Sequence, residues 1–108
     1  MVTEDYCSQE VYRLLKEKGF NGESHTSFDK DGYTIPVVYH QMAMKWLREV
    51  HGLHIEIGNG DLDYWYVVDD VINRDENHYP ITKANYEGYK TNEEAVEAAL
   101  KYCLENLI

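Results

Sequence analysis

The stretch Gln41–Asp70, QMAMKWLREVHGLHIEIGNGDLDYWYVVDD, leaves the chain few folds to choose from. Ala43, Trp46, Leu47 and Val50 recur at i, i+3, i+4 and i+7, the spacing of one helical face, with Met42 and Met44 beside them and Lys45, Arg48 and Glu49 turned outward. This predicts a helix over about residues 40–51, stopped by Gly52. Val38, Tyr39 and His40 are poor capping residues, so packing led by Trp46 is expected to hold the helix. Leu53, Ile55 and Ile57 then alternate with His54, Glu56 and Gly58, a strand over 53–58 with one apolar face. Gly58-Asn59-Gly60-Asp61 tolerates positive φ and reads as a tight turn. The next strand, over 62–71, is apolar on both sides: Tyr64, Tyr66 and Val68 on one, Trp65, Val67 and Val71 on the other. Strands joined by so short a turn are antiparallel.

The rest of the chain packs onto that unit. A first helix is predicted over about 4–18, with Cys7, Val11, Leu14 and Leu15 on one face, Thr3 as its cap and Gly19 as its stop. Residues 21–32 form a loop or a short hairpin turning at Asp29-Lys30-Asp31-Gly32. Pro36 makes the following extended segment an edge strand or a lead-in. A polar loop covers Asn73–Tyr79, and a third strand is predicted near 85–89. The last helix, about 92–106, opens on the capping box Thr91-x-x-Glu94. Val96, Ala99, Leu100, Cys103 and Leu107 line one face of it, widened by Ala95, Ala98 and Tyr102. The expected class is α+β: a small antiparallel sheet with three helices packed mainly on one face.

At 108 residues the chain is of single-domain size. Twenty acids against ten bases give a net charge of −10, which repels phosphate and argues against direct nucleic-acid binding and adhesion to anionic membranes. The same charge suits a cationic partner, or serves solubility alone. Two cysteines, Cys7 and Cys103, fall on predicted core stripes and read as buried thiols. With no apolar run of membrane-spanning length and no leader-like opening, the expected location is cytoplasmic.

QMAMKWLREVHGLHIEI, the aromatic strand YWYVVDD and the terminal Y-x-x-Y-x-T-x-E-E-A-V-E-A-A-L-x-Y-C-L-E-N-L-I together resemble a group of small uncharacterised proteins of Bacteroides-type gut bacteria and their phages and prophages. The resemblance covers about residues 36–108, and Tyr39 stands where a Thr cap is expected. It implies no activity, substrate or cofactor. It implies a mobile-element setting, in which small acidic proteins often act by binding a host or phage protein.

Few constellations carry chemistry. His51-x-x-His54 with Glu56 is a candidate zinc set for a metal-dependent enzyme, although Gly52 breaks the helix between the histidines; the simpler reading is a solvated strand face. Asn59-x-Asp61-x-Asp63 matches the first half of a calcium loop but has Tyr64 at the glycine position. The chain has neither a nucleophile elbow nor a phosphate loop, and no cofactor is expected. The aromatic strand remains. With one face on the helices, the other would present Tyr64, Trp65 or Tyr66 beside His54 and Glu56, a patch suited to a protein partner or to a homo-oligomer. The expected function is that of a non-enzymatic, acidic protein-interaction module. A nucleic-acid mimic inhibiting a DNA-binding protein is the other binding reading, and it needs carboxylates along one continuous face.

Overall fold

A computed structural model describes residues 6–22 and 24–108. Its elements run α1 (Gln9–Glu17), β1 (His25–Phe28), β2 (Thr34–Val37), α2 (His40–His51), β3 (Leu53–Asn59), β4 (Tyr64–Arg74), β5 (Pro80–Tyr89) and α3 (Asn92–Tyr102), then a π-helical turn over Cys103–Leu107. The order β3-β4-β5 makes a three-stranded antiparallel sheet, and β1-β2 a separate two-stranded hairpin. The class is α+β, as expected. All three helices contribute to one core with the sheet, through Val11, Leu15, Leu47, Leu53, Val68, Leu100 and Leu104 among others.

The first helix starts later than predicted. Its cap is Ser8, whose Oγ accepts the Val11 N–H at 3.2 Å; the expected cap Thr3 lies outside the described residues. Cys7 is buried, but on an extended lead-in: its N–H donates to Val38 O at 2.7 Å, next to a Tyr6–Tyr39 bridge. Long-range pairing with the segment before α2 therefore outcompetes helical continuation toward the N-terminus.

The second helix has no side-chain cap at Tyr39 and stops at Gly52, φ 67°, as expected. Its buried face is rotated from the predicted one. His40, Ala43 and Leu47 are buried, whereas Val50 is 58% exposed. Trp46 is not in the core proper; it is half-buried at the rim, edge-on to Phe20 at 5.6 Å and to His51 at 4.8 Å. Gly52 is also covered by Ile72, whose exposed side chain would have to move for a Cβ there, so it is chiefly the left-handed backbone that favours glycine.

Half of the expected capping box of α3 forms: Glu94 N–H donates to Thr91 Oγ1 at 3.1 Å, whereas Glu94 Oε2 accepts not the Thr91 N–H but that of Lys90, one residue before the cap, at 3.0 Å. The last turn, Cys103–Leu107, is π-helical and continues the buried face of α3. Cys103 and Leu104, adjacent in sequence, are both buried, while Leu107 is only partly so. Leu104, at i+8 from Val96, belongs to the same apolar stripe as Ala99, Leu100 and Cys103, although the expected face did not include it.

One turn is built twice. Asp29 Oδ1 accepts the N–H groups of Asp31 and Tyr33, and Asp75 Oδ1 those of Asn77 and Tyr79, all at 2.9–3.0 Å. The left-handed position is Gly32 (φ 84°) in the first and His78 (φ 66°) in the second. Two of the twenty acids in the sequence are thus turn-forming residues.

Candidate functional site

The sheet has one covered side and one open side, and the strand register decides which residues lie on each. Leu53, Ile55, Tyr66, Val68, Asp70 and Ala84 are buried on the helix side. The opposite side carries His54, Glu56 and Gly58 from β3, Trp65, Val67 and Asp69 from β4, and Thr82, Asn85 and Glu87 from β5. None of these nine is buried.

Of the expected patch, Trp65, His54 and Glu56 share this open face. Tyr66 does not. It is 2% exposed, its ring 5.6 Å from Tyr86 and 5.8 Å from Tyr89, and burial followed by those neighbouring phenols pushes its hydroxyl well above the usual tyrosine range. Tyr64 lies on Tyr66's side, opposite Asn59 and Tyr89 at the end of the sheet. The patch is therefore narrower in aromatics and broader in acids than the sequence suggests.

Trp65 sits directly opposite Gly58, and a Cβ at position 58 would collide with its indole. The glycine gives the ring a backbone floor, and the ring fills the gap that glycine leaves in the strand. Beside it lie Val67, paired with Glu56 and Asn85, and Glu87, paired with Trp65. Asp69 accepts Thr82 Oγ1–H at 2.9 Å across the strands. The result is a small apolar centre edged by carboxylates. Sequence reasoning missed Asp69 and Glu87 here; the isolated glycine in a strand was the legible signal of close approach.

The candidate metal set does not assemble. His51 packs against Trp46 and borders a cavity with Leu53 and Asp70 on the helix side, whereas His54 and Glu56 point to the open side. Among the described residues no three His, Cys, Asp or Glu side chains gather to hold a metal ion. The calcium-like segment is the hairpin turn, closed by Gly60 N–H to Asp63 O at 2.8 Å.

Asp69 and Asp70 point to opposite sides of β4, as alternation requires. Asp70 is buried and accepts N–H groups of Ile72 at 3.0 Å and Asn73 at 2.9 Å, and the Asn73 side-chain amide at 3.1 Å. The hydrogen bonds from Asn73 above all hold its carboxyl below the usual range, against the opposing effect of burial. This carboxylate shapes the strand irregularity between Asp70 and Arg74 and is committed to it. Cys7 and Cys103 are free, and burial pushes both thiols up to about 12, with Glu97 adding to the shift at Cys7. Neither is a thiolate at neutral pH, so neither is a ready nucleophile.

No helix among the described residues is long and apolar enough to cross a membrane. No family model, curated protein or solved structure matches the chain.

Proposed function

We propose that this chain is a non-enzymatic binding protein that takes a protein partner on the open face of its three-stranded sheet. The observation that carries this reading is the Trp65–Gly58 pair with Val67, edged by Glu56, Asp69 and Glu87, on a face where no residue is buried. An apolar centre with a charged rim is the usual anatomy of a recognition patch. Its acidic rim suits a partner that offers an apolar anchor ringed by Lys or Arg. The buried, protonated thiols and the separation of His51 from His54 and Glu56 support the non-enzymatic half of the reading. A resemblance to phage and prophage proteins would fit a host or phage protein as the target.

The nucleic-acid mimic has less support, because Trp65, Val67, Thr82 and Asn85 interrupt the carboxylates on this face.

The test is affinity capture from a host lysate with the wild-type chain, Trp65→Ala and the double variant Glu56→Lys/Glu87→Lys. Expected is one specific band, weakened by salt and lost in both variants while their circular dichroism stays native. Retention of that band by both variants would rule out this face as the binding surface. Release of the band by added DNA would favour mimicry, and concentration-dependent sedimentation of the pure chain would favour a homo-oligomer.

A further inference from the structure

A second site lies on the helix side of the sheet. A cavity of about 470 Å3 opens there, lined by Tyr6, His40, Tyr89, Glu93, Glu94 and Glu97. Three carboxylates and two phenol rings line it, and among the described residues no Lys or Arg does. Glu93 and Glu94 have a structural reason to be there: they lie in the first turn of α3, where acids complement the helix dipole, and the Glu94 carboxylate accepts the Lys90 N–H just before the cap. Glu97 lies beyond that turn. It accepts the Ser8 N–H and so ties the start of α1 to α3.

The decisive residue is His40. It is 6% exposed, and its Nε2 has no hydrogen-bond partner among the described residues. Glu97 Oε1 is 3.5 Å away, close enough for charge to matter but without the geometry of a hydrogen bond. A buried ring nitrogen left in this state is uncommon, because folding normally satisfies such groups. A donor placed between Nε2 and Glu97 would give the nitrogen its missing partner and the carboxylate one more hydrogen bond.

We propose that this cavity binds an organic cation, an alkylammonium or guanidinium group, whose N–H donors bridge Glu97 and His40 Nε2 while its charge rests against Tyr6 and Tyr89. A carboxylate has about four acceptor positions, so Glu97 keeps spare lone pairs for such donors while accepting the backbone N–H and the hydroxyl of Ser8. Aromatic faces attract organic cations through the ring quadrupole. Glu97 is the more exposed of the pair, its side chain at 27%, so it meets the cation first and the buried nitrogen sets its orientation. A metal ion fits less well: the opening is far larger than one ion, and among the described residues no metal-holding trio forms. The cation has two sources, a free polyamine or a Lys or Arg side chain of a protein. The site shares no residue with the open sheet face, so either proposal stands or falls without the other.

The experiment follows amide NMR shifts of the full chain at low ionic strength during titration with spermidine, with arginine and with a short arginine-containing peptide. Expected are saturable shifts centred on Tyr6, His40, Tyr89 and Glu97, and binding about tenfold weaker in Glu97→Gln, the loss expected for a charged hydrogen bond. Saturation by spermidine or arginine identifies a free cation as sufficient; saturation by the peptide alone identifies a protein side chain. Shifts that grow linearly with concentration and spread over the whole acidic surface overturn the proposal, as does unchanged affinity in Glu97→Gln. Should Glu97→Gln lose its fold, Tyr6→Ala, which removes a 43% exposed ring, makes the same comparison.

Discussion

The indole of Trp65 occupies the space that a side chain at Gly58, its partner on the neighbouring strand, would need. Gly58→Ala should therefore displace the ring without breaking the strand, since Gly58 has no positive φ to lose. The expected destabilisation is about 1–3 kcal/mol, the usual result of overpacking. Tryptophan emission should shift as the indole leaves its seat. An unchanged spectrum together with wild-type stability would show that the ring sits there by chance.

Tyr66 and Trp65 are adjacent in sequence but lie on opposite sides of the sheet, and they should behave differently when truncated. Tyr66→Ala removes a ring buried among Tyr86, Tyr89 and the helices, and should cost roughly 3–5 kcal/mol. Trp65→Ala removes a half-exposed ring and should cost clearly less. Urea unfolding of the two variants provides the comparison. Equal losses would mean that the open face is as tightly packed as the core, and the binding proposal would lose its premise.

Asp70 should make the fold acid-sensitive. Its carboxyl titrates lower in the folded chain than in the unfolded one, so ionised Asp70 adds stability. That contribution is complete above the ordinary carboxylate range and disappears as pH falls through the lowered folded value. Asp70→Asn should be less stable at neutral pH by about 1–3 kcal/mol, because Ile72 and Asn73 N–H groups lose a charged acceptor. The gap between the variant and wild type should close in acid. Urea midpoints measured from neutral to acidic pH would contradict this if the two curves ran parallel.

The elements with strong local signals were legible from residues alone. Thr91 and Glu94 mark the start of α3, Gly52 ends α2, and the alternation from Leu53 to Ile57 defines β3. β5 was only partly visible: it spans Pro80–Tyr89, where a shorter strand was expected. Its register shifts between Val68 and Asp69 and again between Tyr64 and Trp65, and Gly88 there has φ 98°. Each shift breaks the period-two pattern by which a strand is recognised.

The candidate sites were less legible. Nothing local distinguishes His40, a poor capping residue at the head of a helix, from an exposed histidine; only packing against α3 brings its Nε2 to Glu97, far along the chain. Asp69 and Glu87 joined the open-face patch only through cross-strand pairing.

The sequence by itself determined the α+β class, the central hairpin and the caps of its clearest helices, because periodicity and backbone preference act between residues a few positions apart. It also placed Tyr66 and Trp65 on opposite sides of one strand. Which side would be buried was decided only in three dimensions, by where α2 and α3 come to lie on the sheet. Burial is settled by residues distant in sequence that exclude water together, and no local pattern encodes that choice in a strand apolar on both faces.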